Sequence, residues 1–140
     1  NDRHLRLAAE FDNYRKRHQR DRQVMATRLQ TELVASLLDV LDDLQRVEEN
    51  GADATAEAVV EGVRLVERKF LTVLEGAGLE EIRAAGDPFD PEIMEALMTI
   101  PTDDPKKDGI VADVFQRGYR FRDVLVRPAR VRVLQYEESE

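Results

Sequence analysis

Apolar and semi-apolar positions in the first third of the chain recur at helical spacing: Leu7, Phe11, Tyr14, His18, then Met25, Leu29, Leu33, Leu37, Leu41 and Leu44. The missing step falls near Arg22, whose long aliphatic stem can lie along such a seam. The mean step is about 3.7 residues, close to the 11-residue repeat that gives a nearly straight or slightly right-handed pair rather than a heptad supercoil. All five prolines lie at or after Pro88, and the first helix-breaking pair is Asn50-Gly51. The pattern therefore predicts one helix over residues 1–49, roughly 70 Å long at the usual rise. Nothing else in the chain can cover a stripe of that length. A second copy can, so the seam predicts a homodimer.

Residues 51–57 read as a loop. A second amphipathic helix follows, with Val59, Val63, Val66, Phe70, Val73 and Leu74 on one side, ending at Gly76-Ala77-Gly78. Residues 50–78 thus form a loop and a second helix that meets the apolar end of the first, Ser36 to Val47. Two copies of each give a four-helix bundle. After Gly78 the period changes. IVADVF and VLVRPARVRVL alternate like strands, separated by Gln116-Arg117-Gly118 and a polar break near Arg122-Asp123. Gly118 reads as a turn residue. Residues 79–136 are expected to form a compact β-domain and residues 137–140 a frayed tail. The fold class is α+β: a long dimerising helix, a two-helix share of a dimeric bundle, and a small all-β domain.

Composition sharpens this picture. Of 140 residues, 36% are charged and 6% aromatic, with no Trp, which favours an elongated helical protein over one compact core. The net charge of −8 disfavours a general nucleic-acid role. No apolar run approaches a membrane span. Without Cys there is neither a disulfide frame nor thiolate chemistry. The start at Asn1, without Met or a signal-like segment, reads as the trimmed edge of a longer chain. Charge is also polarised. Residues 1–22 carry seven basic and four acidic side chains, residues 39–61 eight acids against Arg46, and residues 109–133 six Arg against Asp113 and Asp123. Such an arrangement predicts oriented contacts with partners.

Catalytic material is scarce. The two histidines, His4 and His18, both lie in the polar rod, which offers no pocket. Ser36 and Ser139 have no nucleophile context. Gly76 and Gly78 lack the flanks of a phosphate loop, so neither direct nucleotide binding nor any cofactor is expected. DPFDPE, with Asp87, Asp90 and Glu92, resembles a metal loop, but a proline-stiffened turn with an Asx cap opening a short helix explains it, and no metal is expected. The cluster RKRHQRDR, Arg15 to Arg22, lacks the interleaved aromatics of a nucleic-acid site and fits a protein partner or a solvated face better.

AEFDNYRKR (9–17), in the first helix, is the first of five segments that in order resemble the GrpE family, nucleotide exchange factors of the DnaK heat-shock chaperone; it is similar to the AEFxNYRKR signature of that family's long helix. LLDVLDDLQR (37–46) resembles its LLPVLDNLER segment, and VVEGVRLVERKFLTVLEGAGLEEI (59–82) its second bundle helix. GDPFDPEIMEA (86–96) resembles G-x-x-FDPxxHEA, and GIVADVFQRGYRFRDVLVRPARVRV (109–133) resembles GxVxxVxxxGYxxxDRVLRPAxVxV. Asp39 stands where the pattern has Pro, Met94 where it has His, and Val124 where it has Arg; Arg122, Arg127 and Arg130 are nearby alternative charges.

The resemblance implies a parallel dimer whose β-domain inserts against the chaperone's ATPase domain, opens its nucleotide cleft and releases ADP, without being an enzyme. It implies partner contacts at Arg15, Arg46, Glu49, Phe115, Arg122 and Arg127, and a bundle glycine at Gly62. It also implies a bacterial cytoplasmic setting, a role in the heat-shock response, and a thermosensing long helix, for which His18 and Arg22 are the weak points of the seam. Without the resemblance, a dimeric coiled-coil adaptor whose β-domain binds another protein would be the competing reading.

Overall fold

The computed structural model describes residues 1–139. The chain divides into two compact units, Asn1–Val73 and the residues from Leu74 onward.

The first unit is helical. Helix α1 runs unbroken over Asp2–Gly51. Thr31 and Ser36 donate their hydroxyls to the carbonyls of Thr27 and Glu32, one turn back, and the helix continues through both. Helix α2 spans Ala56–Ala77, and the connecting loop is shorter than the sequence suggests because α1 includes Gly51 and α2 begins at Ala56. Thr55 starts α2 as its cap, its hydroxyl accepting from the Ala58 amide at 3.2 Å.

The two helices meet along one stripe. Val40 is the most enclosed residue of α1, 6% exposed. Leu33, Leu37 and Val47 flank it half-buried, opposite half-buried Val59, Gly62 and Val66 of α2. Lys69 crosses to Asp43 at 2.5 Å. The remaining seam of α1 is open among the described residues: Leu7, Phe11, Tyr14, Met25, Leu29, Leu41 and Leu44 are all exposed.

The second unit is built on two three-stranded sheets with orders β1-β4-β5 and β2-β6-β3. The strands are β1 (Leu79–Ile82), β2 (Met94–Thr102), β3 (Val111–Gln116), β4 (Gly118–Phe121), β5 (Val124–Arg127) and β6 (Ala129–Tyr136). The first sheet is antiparallel throughout. In the second, β6 is central, parallel to β2 and antiparallel to β3. Alternation makes β6 the organising strand: Ala129, Val131 and Val133 point into the core while Arg130, Arg132 and Leu134 point away. Ile82, Ala84, Met94 and Val111 complete the buried core, with Phe89, Ile93 and Val114 packed against it. Pro101 is accommodated because β2 is an edge strand.

Three expectations are corrected here. No short helix follows DPFDPE. Asp90 does form an Asx turn, accepting from the Glu92 amide at 3.0 Å, and its carbonyl accepts from Met94 at 2.9 Å. The turn ends there, because Met94 and Ala96 pair with Ala129 and Val131 of β6.

Gly118 is not a turn residue but the first residue of β4, and a Cβ built on it would lie 2.3 Å from the Ala129 amide nitrogen. It is glycine because two strands cross there.

VLVRPARVRVL is not one strand. Pro128 divides it between the two sheets, and GYRF, unassigned from sequence, forms β4. Arg122 and Asp123, at φ 46° and 67°, make the tight two-residue turn between β4 and β5. Of the expected tail, Glu140 lies outside the described residues, and the Glu137 amide donates to Thr102 at 3.0 Å.

Candidate partner-binding surface

The six expected contact residues fall into three places. Arg15 lies on α1 with its guanidinium 5.1 Å from the centre of the Phe11 ring. One turn further on, Tyr14 and His18 stack at 5.9 Å. Arg46 and Glu49 lie near the end of α1, and Arg46 reaches Asp43 at 3.1 Å. Asp43 thereby takes both Arg46 and Lys69. The Lys69 hydrogen bond, more than the charge of either cation, lowers its pKa from the usual carboxylate range. Close by, a Cβ on Gly62 would lie 3.2 Å from Val47 Cγ2, so this glycine lets the two helices approach.

The remaining three belong to the β-unit and separate between its sheets. Arg122 lies in the turn before β5 and Arg127 is its last residue. Arg122 Nε donates to the Ala77 carbonyl at 3.2 Å, and Arg127 Nε donates to the Arg117 carbonyl at 2.9 Å. Their guanidiniums sit over Phe121 and Tyr119 at 5.6 and 5.4 Å. Both arginines thus brace the first sheet.

Phe115 lies on the other sheet and is 74% exposed. It is unusual for an aromatic ring to stand so open in a unit with few aromatics. The strand register explains its position. Val114 pairs with Val131 and Gln116 with Arg130, so Phe115 is the extra residue of a β-bulge. Across the sheet, Leu97 is likewise the extra residue between Ala96 and Met98 of β2.

These irregularities build a shallow groove of about 560 Å³ lined by Leu97, Met98, Asp113, Val114, Phe115 and Arg132. Met98 is 57% and Leu97 41% exposed. Asp113 and Arg132 are cross-strand partners in two-pronged contact: Arg132 Nε donates to Asp113 Oδ1 at 2.7 Å, and a second guanidinium nitrogen donates to Oδ2. The hydrogen bond from Arg132 holds the Asp113 carboxyl below its ordinary pKa, partly opposed by desolvation, and the same bond raises that of Arg132. Arg130 and Glu95 form a second pair on this face at 3.4 Å. The surface therefore offers apolar side chains around charges that already have partners.

Among the described residues no group of His, Cys, Asp or Glu is arranged to hold a metal ion, and no helix is long and apolar enough to cross a membrane. The arrangement suits contact between macromolecules.

The GrpE family model matches residues 1–135. Protein GrpE of a Thermus thermophilus strain is 42% identical over 139 residues, 99% of this chain and 76% of that protein. Protein GrpE of Parabacteroides distasonis is 43% identical over 132 residues, covering 94% and 68% respectively. Protein GrpE of Parageobacillus thermoglucosidasius is 35% identical over 135 residues, covering 96% and 60%.

The chain belongs to the GrpE family.

Within this GrpE chain, two departures from the motifs have a structural reading. Met94, in place of His, is 6% exposed and fills the core, its sulfur 3.5 Å from the Asp90 amide. Asp39 occupies an exposed position in the uninterrupted α1, where Pro would cost a ladder bond. Sequence reasoning missed Leu97, Met98, Asp113 and Arg132. The signal available was an Asp at 113 inside the otherwise apolar IVADVF, but pairing it with Arg132 rather than Arg130 requires the register.

Proposed function

We propose that this protein is a nucleotide exchange factor, a co-chaperone that binds the ATPase domain of a DnaK-type chaperone, holds its nucleotide cleft open and speeds ADP release. The observation that carries this reading is the family match over residues 1–135. The open apolar face around Phe115 supplies a surface suited to the grip. Binding energy, not bond chemistry, drives the step. A factor that prefers the open cleft shifts the chaperone toward it, and by linkage bound nucleotide weakens the factor in return. Moving a cleft from almost closed to almost open takes roughly a 10⁴-fold preference for the open state. No bond is made or broken, so the protein is not an enzyme in this reading.

The active form is a homodimer. The stripe from Leu7 to Leu29 is exposed along α1, and a second copy of the same helix is the economical cover. Arg15, Arg46 and Glu49 are its helical contacts to the chaperone, and Gly62 permits close helix packing. The rod doubles as a thermosensor through the weak seam at His18 and Arg22, and the protein acts in the heat-shock response of the bacterial cytoplasm.

Stopped-flow release of a fluorescent ADP analogue from a DnaK chaperone tests the proposal. The protein should accelerate release strongly, and Phe115→Asp should abolish most of the gain while leaving the dimer intact. A wild-type protein that is dimeric by light scattering yet leaves ADP release unchanged would sink the reading and favour an adaptor.

A further inference from the structure

Strand β3 spends six residues, Val111 to Gln116, against four of β6, Val133 to Arg130. It does so through two bulges, at Ala112 and Phe115, with Asp113 and Val114 paired between them. A slip of β3 by one residue exchanges the faces of its side chains, so something must hold the bulged register.

The competing register is easy to write. A regular ladder continuing from Val111 opposite Val133 sets Ala112 opposite Arg132 and Asp113 opposite Val131. Val131 is wholly buried, so the carboxylate would then face the core. Val114 would turn outward and Phe115 would face inward opposite Ala129, which is also wholly buried. In the observed register Asp113 instead meets Arg132 on the outer face. The charged pair is therefore a feature that separates the two arrangements, since Asp113 would lie against the buried core in one and meets Arg132 on the outer face in the other.

We propose that Asp113 and Arg132 are positioning residues for partner docking: their forked contact holds β3 in the bulged register that keeps Phe115 on the outer face beside Met98 and Leu97. The docking half of this inference rests on the exchange-factor reading; the register half does not. The surface so formed fits an apolar side chain of the partner, because its own charges are matched to one another and leave none free for an ionic contact.

The test uses the full chain with Asp113→Val and Asp113→Glu. Two quantities are read: nuclear Overhauser contacts of the Phe115 ring, and the factor concentration giving half-maximal ADP release. In the wild type and Asp113→Glu, the ring should contact Met98 methyl protons. In Asp113→Val it should lose them and gain contacts with Ala129, and half-saturation should rise about tenfold, as for loss of one apolar anchor.

An Asp113→Val protein that keeps the Met98 contacts and wild-type half-saturation overturns the proposal. If that variant does not fold, Arg132→Met removes the same fork, and an unchanged Phe115 environment there overturns it equally. If the wild type does not accelerate ADP release, the exchange reading fails by itself, and the ring contacts still decide whether the pair sets the register.

Discussion

Gly118 shows how little space one residue can command. The built Cβ position lies 2.3 Å from one backbone atom and 2.8 Å from two others of the Pro128–Ala129 segment, none of which can rotate aside. Gly118→Ala should therefore destabilise the β-unit by about 2 kcal/mol or more, at the upper end of overpacking costs, measured by urea denaturation. Val40 makes the opposite case: its truncation to Ala leaves a void between α1 and α2 and should cost the helical unit about 1–2 kcal/mol.

Asp113 adds a pH dependence whose sign is fixed. Its folded pKa is depressed below 3.8. The unfolded chain therefore binds the proton more readily, and the contribution of the pair is present above that value and lost as pH falls through the folded pKa. Melting temperatures between pH 5 and 2 should fall less steeply for Asp113→Asn than for the wild type. Equal slopes would show that the fork does not survive in solution. Asp43 has the same sign for the same reason, with Lys69 in the place of Arg132.

At the scale of elements, what could be read from the sequence followed from how regular each element is. Helix α1 was legible because apolar or semi-apolar residues recur every third or fourth position from Leu7 to Leu44, with one step missed at Arg22, and no proline interrupts it. The β-unit was legible in kind but not in detail. Alternation at Ala129, Val131 and Val133 announces β6. Bulges at Leu97, Ala112 and Phe115 break the two-residue period in β2 and β3, so the outer face could not be assembled from spacing. Phe115 alone was singled out, and its neighbours Leu97 and Met98 came only with the register. Gly118 looked like a turn because a glycine required by a crossing strand has no local signature.

The rod carries its own prediction at this scale. If His18 and Arg22 are the weak points of a paired seam, replacing both by Leu should raise the melting temperature of the helical transition by about 5 °C, read from circular dichroism at 222 nm. An unchanged transition would place those residues outside the seam.

For the whole molecule, the decisive property is that its two units differ in how far each closes a core within one chain. The β-unit closes its own core: Ala129 and Val131 are wholly buried within a single chain. The helical unit does not, since its most enclosed residue is Val40 and the stripe from Leu7 to Leu29 stays open. A core completed within one chain melts at a temperature independent of concentration. A core completed by a second copy follows mass action, and each tenfold rise in protein concentration adds about 1.4 kcal/mol to the folded dimer. Calorimetry over a hundredfold range of concentration should therefore show a helical transition that climbs by several degrees per decade and a second, from the β-unit, that stays in place. The two transitions must also be separable for the rod to sense heat while the grip survives. A single melt at one temperature would remove the thermosensor. A helical transition that ignored concentration would remove the homodimer, and with it the reason for a rod of this length.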